Sequence, residues 1–234
     1  MQNEERVRPN RAASCAKCVV YQCFRSPESV GGYPGFCPHE NYAEIRLQTA
    51  KDWSNNPTAR KAFEVSDQVL RKGYGKWSRV REVIEYSRSM GYNRLGIAFC
   101  IALRKEAKVL HNMLEESGFK VVSICCMAGS PIRSDVGFDL VSGLPKTLCN
   151  PLMQAQVLNE NETQLNIMLG LCMGHDVLFI KHSKADVTPL VVKDRVLNHN
   201  PAAALSSGKS IKSEIWRWIL PYARRVNRSL RRIS

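Results

Sequence analysis

Apolar positions change their period along this chain, and the changes divide it. From 41 to 91 they recur three and four residues apart, as helices with one buried face require. Tyr42, Ile45 and Trp53 share a stripe. "NPT" at 56–58 starts a second helix with Ala62, Val65 and Val69 inward. After "GYGK" a third helix carries Trp77, Val80, Ile84 and Ser87 and stops at Gly91. Beyond 93 the pattern becomes short continuous apolar runs separated by helical stretches. "RLGIAFCIAL" (94–103), "FKVVSICC" (119–126), "QLNIMLGLC" (164–172) and "VTPLVVKD" (187–194) read as strands. Residues 104–118 read as a helix with Leu103, Ala107, Leu110 and Leu114 on one face and Gly118 just past its end. Residues 150–160 read as a helix with Asn150 as N-cap and Pro151 in its first turn. "GHDVLFIKHS" reads as a short helix. Strands apolar on both faces and alternating with helices predict an α/β fold, a mostly parallel, Rossmann-like sheet covered on both sides.

These patterns divide the chain into five segments. Residues 1–14 form a polar arm, 15–40 a cysteine-rich module, and 41–92 a helical linker. Residues 93–205 form the α/β domain and 206–234 a basic tail. The module has too little apolar surface to order itself, so a bound ion would supply its organisation.

Composition alters the picture at two points. Nine cysteines are many for a chain whose start, "MQNEERVRPNRAAS", lacks the apolar core of a secretory signal. The expectation is a cytoplasmic protein with reduced thiols, which favours metal, cluster or redox chemistry over a disulfide framework. No apolar run approaches the roughly eighteen residues of a membrane span. The net charge of +13 is uneven: from Ser206 onward eight Lys and Arg stand against Glu214 alone. There Ile211, Ile215, Trp218, Tyr222, Val226, Leu230 and Ile233 form an apolar stripe. Arg217, Arg224, Arg225, Arg228, Arg231 and Arg232 occupy most of the other positions. Such a helix suits an anionic membrane surface, nucleic acid or an acidic protein partner, or packs on the chain's own body.

The cysteines fall into two groups. Cys15, Cys18, Cys23 and Cys37 are spaced C-x2-C-x4-C-x13-C. Four thiolates complete a zinc shell or hold an iron–sulfur cluster; the missing second C-x2-C pair and the Cys37-Pro38 step lean toward the cluster. His39 is a further candidate there. In the second group, Cys125 and Cys126 end a strand, Cys149 precedes a helix cap, and Cys172 joins a strand to a helix. Cys100 lies near the end of another strand and reads as core slightly ahead of ligand. Parallel strands place such positions along one edge, where open α/β sheets bind ligands. Helix N-termini beside Cys149 and Cys172 favour their thiolates. Cys126, Cys149 and Cys172 are therefore candidate ligands, with Cys100, Cys125 or His175 as a fourth and Asp176 as a supporting first-turn residue. Cys172 with His175 also reads as a nucleophile and base, although three residues on one turn control their geometry poorly.

The stretch "CNPLMQAQVLNENETQLNIMLGLCMGHDVLFIKHSKADVTPLVVKDRVLNHNP" (149–201), with "GIAFCIAL" and "SICCMAG", resembles a prokaryotic domain-of-unknown-function family described as metal-binding proteins. The resemblance covers about 15–205. It implies a cysteine-bound metal at Cys15, Cys18, Cys23 and Cys37 and at Cys126, Cys149 and Cys172. Met127 stands where the family often has a basic residue, and Asn198 where glycine is usual.

The function expected is metal binding, iron–sulfur or zinc, with redox or electron transfer to a partner protein at the sheet's carboxyl edge. The alternative is a zinc-stabilised adaptor acting through its tail.

Overall fold

The computed structural model describes residues 12–24, 32–140, 142–143 and 145–206. The basic tail, and with it all six of its arginines, lies outside the described residues, as does the start of the arm.

The chain divides into two compact units, Met1–Gln68 and Val69–Ser234. In the first, 3-10 turns at Cys15–Lys17 and Gln22–Phe24 precede α1 (Pro38–Asn41), α2 (Ala43–Asn55) and most of α3 (Pro57–Gly73). Asn56 caps α3 by accepting the amide of Ala59 at 3.1 Å. The stripe expected on α2 is not a buried one: the helix buries none of its residues, and Ile45 and Trp53 are exposed. Trp53 meets Phe63 edge-on, with ring centroids 4.9 Å apart.

The second unit carries α4 (Arg79–Met90), β1 (Arg94–Phe99), α5 (Arg104–Glu116), β2 (Lys120–Cys125), α6 (Pro151–Glu160), β3 (Leu165–Leu169), α7 (Met173–His182), β4 (Asp186–Val191) and α8 (Ala203–Ser206). The strands form one all-parallel sheet in the order β2-β1-β3-β4, as expected of a Rossmann-like layer. Ser78 caps α4, and Gly91 ends it in the left-handed conformation at φ 80°. Asn150 caps α6 by accepting the amide of Met153.

The helices cover opposite faces. Leu103, Ala107, Leu110 and Leu114 pack with Val83 on Leu95, Ile97, Leu165, Ile167 and Leu169. Ala155, Leu158 and Phe179 pack on Ala98, Ile124 and Met168. This follows from the connections. The β1–β2 crossover moves one way along the sheet and the β2–β3 crossover returns past β1. Right-handed crossovers then require opposite faces. The chain direction therefore switches between β1 and β3, and the crevice at their carboxyl ends is where such sheets bind ligands.

β1 is shorter than its apolar run suggests. It stops at Phe99, and Ile101–Leu103 turn as a 3-10 helix, with the amide of Leu103 bonded to the Cys100 carbonyl at 2.8 Å. Buried Leu103 joins the α5-side core, so its apolar character reflects helix packing rather than strand continuation. β2, β3 and β4 likewise end short of their runs, at Cys125, Leu169 and Val191.

Candidate functional site

The ladder continues one residue past the strands and sets the first two sulfurs side by side. The Cys100 amide donates to the Leu169 carbonyl at 3.1 Å, and the Cys126 amide to that of Phe99 at 2.9 Å. Both cysteines are buried in the α6–α7 side core. The Asn150 amide then donates to the Cys126 carbonyl at 2.7 Å, which brings Cys149 to the same edge. Cys172 arrives from β3 through Gly170 and Leu171 and caps α7. Gly170 has φ 61°, and a side chain there would strike Leu103 beneath the Cys100 turn.

Two cations beyond β4 close on these sulfurs. Lys193 Nζ lies 2.5 Å from Cys100 Sγ. Arg195 donates to Cys172 Sγ at 3.2 Å. A tight turn aims them. Asp194 Oδ1 accepts the amides of Val196 and Leu197 at 2.9 and 2.8 Å. Its own amide donates to His199 Nδ1, and the His199 amide returns to its carbonyl at 2.9 Å. Asn198 and His199 close this turn in the left-handed region, with φ 48° and 63°. Asn tolerates that conformation better than most side chains, which accounts for the glycine usual at its position in the resemblance.

The electrostatics follow from this packing. A hydrogen bond from Cys126 holds the Cys100 thiol far below its ordinary pKa against burial, and Lys193 assists. The shared proton stays on Cys126, whose pKa is pushed up by that hydrogen bond and by burial. Cys100 is thus the thiolate of the pair. The Arg195 guanidinium is held charged first by its hydrogen bond to Cys172, and the sulfurs of Cys100 and Cys149 act in the same direction. Burial lowers the pKa of His175; the charge on Cys100 opposes this, while Lys193 and Arg195 reinforce it. Burial raises the Asp176 carboxyl, and Lys193 opposes that shift.

The four sulfurs of Cys100, Cys126, Cys149 and Cys172 therefore share one edge and one electrostatic field. As they stand, three are turned to other partners: Cys100 to Lys193, Cys172 to Arg195, and Cys149 to the Met127 sulfur at 3.8 Å. Among the described residues no three His, Cys, Asp or Glu side chains form a group ready to hold a metal ion. The donors suit a thiophilic ion in kind, but coordination would require these sulfurs to turn from their present partners. Cys125 is half-buried, its sulfur accepting the Met127 amide at 3.5 Å.

In the first unit Cys15 opens the first 3-10 turn, and Cys18 closes it with its amide on the Cys15 carbonyl. The Cys18 sulfur accepts the Tyr21 amide at 3.4 Å, an N–H···S contact of the kind that cysteine ligands use. Cys23 lies in the second turn and Cys37 caps α1. His39, the further candidate, stacks on Tyr33.

Sequence reasoning missed Lys193, which it placed inside the fourth strand run, and Arg195 just beyond that run. Their flanking of an Asp whose side chain can cap a turn was the available signal.

A family described as "protein of unknown function (DUF1847)" matches residues 37–190, a span that includes all five cysteines of the second unit. An uncharacterized protein of Methanocaldococcus jannaschii, MJ0455, is 45% identical over 146 residues, covering 62% of this chain and 75% of that protein. No solved structure matches the chain.

Proposed function

The chain belongs to the DUF1847 family, whose description assigns no activity, and from its own site we propose that it is a metal-binding protein. A centre at the carboxyl edge of the sheet is held by Cys126, Cys149 and Cys172, with Cys100 as the fourth ligand ahead of Cys125 and His175. The observation that supports this reading is the placement of four cysteines from four separate junctions along the carboxyl edge of the sheet, with a lysine and an arginine bonded to the sulfurs of two of them. A divalent ion on four thiolates keeps a net charge of about −2, and an oxidised cubane cluster on four thiolates has a similar charge. Lys193 and Arg195 supply two positive charges where that excess would fall. Half-buried thiolates without such partners would carry a heavy desolvation cost.

Cys15, Cys18, Cys23 and Cys37 are the ligands of a further centre in the first unit. An iron–sulfur cluster at either place would supply one-electron chemistry; zinc would supply structure. The residues of this chain bind the sulfurs' charge, exclude water through the α6–α7 packing, and fix the strand ends that carry the ligands.

Anaerobic purification with absorption spectroscopy and analysis for iron, sulfide and zinc tests the reading. The expected result is metal bound in the intact chain, falling by one centre in Cys126→Ser and Cys172→Ser. A folded protein that binds neither iron nor zinc under those conditions would sink it. Redox-silent zinc that survives both substitutions would leave only the first-unit centre and favour the adaptor.

A further inference from the structure

The other face of the sheet carries a second cluster that uses no cysteine. Along α5, Arg104, Lys108, His111 and Asn112 line a cavity of about 270 Å³ with Phe99 and Ser123 of the neighbouring strands. Ser123 is exposed on β2, an edge strand, so its hydroxyl is open to solvent. Its Oγ lies 3.1 Å from His111 Nδ1. On the far side of the ring, His111 Nε2 lies 3.3 Å from Glu115 Oε1. A neutral imidazole with its proton on Nε2 satisfies both contacts: it donates to Glu115 and accepts from Ser123. Neither Arg104 nor Lys108 is paired among the described residues.

A helical His–Glu pair four residues apart is ordinary, and so is an exposed serine. Here one imidazole bridges a hydroxyl and a carboxylate at the wall of a cavity with two uncommitted cations. Hydroxyl, base and orienting acid are the parts that nucleophilic acyl transfer requires, whichever ring nitrogen faces the nucleophile.

We propose that Ser123, His111 and Glu115 form a hydrolytic site for short acyl esters carrying an anionic group, which Arg104 and Lys108 hold. The Ser123 oxygen attacks the acyl carbonyl and its proton passes to His111 Nδ1. The carbonyl re-forms as the alkoxide leaves, taking that proton, and the acyl group remains as an ester on Ser123. Water then attacks this ester with His111 again as base; the acid is released and the serine restored. The Asn112 amide and Lys108 ammonium line the same cavity and are the donors available to the transient oxyanion.

The test uses the full chain, a fluorophosphonate probe and peptide mass spectrometry. The expected adduct is on Ser123, absent in Ser123→Ala, and formed about a hundredfold more slowly in His111→Ala, as the loss of a general base implies. Each variant is checked for fold by circular dichroism. A second measurement compares 4-nitrophenyl acetate with the anionic mono-4-nitrophenyl succinate. Arg104→Ala/Lys108→Ala is expected to lower the preference for the anionic ester over the acetate roughly tenfold. No adduct on Ser123, labelling in His111→Ala at the wild-type rate, or no preference for the anionic ester would each overturn the proposal. None of these outcomes depends on metal, so failure here leaves the cysteine centre standing.

Discussion

Cys100 shows how far one residue's role depends on neighbours distant in sequence. Alternation within its strand makes it core, and it is indeed buried. Its partners are Cys126, 26 positions along, and Lys193 near the end of the described chain. With metal removed and thiols reduced, one thiolate should already absorb near 240 nm at pH 6. Lys193→Met should move its titration to higher pH, because the ammonium that favours the charged sulfur is gone. An unchanged titration would mean that Lys193 does not act on the thiol. Asn198 belongs to the same scale. Asn198→Val places a β-branched side chain at φ 48° and is expected to cost about 1–3 kcal/mol in urea unfolding. Asn198→Gly should be neutral or slightly stabilising. That Asn198 stands where glycine is usual was legible from the resemblance; that this turn aims two cations at sulfurs was not, since the Asp of "VKDRVL" signals a turn but not the direction in which its basic neighbours point.

Among the elements, α6 does the most to hold the edge together. Asn150 accepts the Met153 amide and donates to the Gly129 carbonyl at 2.8 Å, so one side chain caps the helix and anchors the preceding loop. Gln154, fully buried one turn on, donates to the carbonyls of Phe99 and Ile124 at 3.2 and 2.8 Å and ties the helix to the ends of β1 and β2. Asn150→Ala should lower stability by about 1–2 kcal/mol in chemical denaturation. The central strand has a matching constraint. Gly96 of β1 faces Asn166 of β3, whose side chain is fixed by Thr163 Oγ1 and Ser183 Oγ, each at 2.8 Å. A methyl at Gly96 would strike the Asn166 amide oxygen and Leu158. Gly96→Ala should therefore lower the thermal midpoint by several degrees, consistent with an overpacking cost of about 1–3 kcal/mol. The strands, the Asn150 cap and the alternating helices were readable because each has a local signal of period, cap or glycine. The Ser123–His111 contact was not, because it joins a helix to the next strand and depends on how far α5 is rotated against the sheet.

For the whole molecule, the sheet's two ends have different electrostatics. At the amino end Tyr92 donates to Asp186 at 3.4 Å. Burial, then the neighbouring Tyr86 and Asp186, push its phenol up to about 12. A phenol whose folded pKa lies above its unfolded one contributes fully below the unfolded value near 10, and that contribution is lost as pH rises toward 12. Unfolding midpoints should therefore fall between pH 10 and 12, and less steeply in Tyr92→Phe. At the carboxyl end four thiols and two cations share one crevice, and the topology, rather than any contiguous motif, assembles them. Elements at that edge could be placed from sequence because parallel strands all end on the same side. The rotamers of Cys149 and Cys172 could not, since they answer to Met127 and Arg195.

The order in which the crevice is built follows from where its parts lie in the chain. Cys100, Cys126 and Cys149 are complete once α6 has docked through Gln154. Cys172 comes next, and Lys193 and Arg195 are the last to leave the ribosome. A nascent chain arrested before Lys193 would present the four thiols with neither basic side chain beside them. At that stage no basic side chain opposes an incoming cation at the edge, and without the Lys193 ammonium the Cys100 thiol ionises less readily than it does after release.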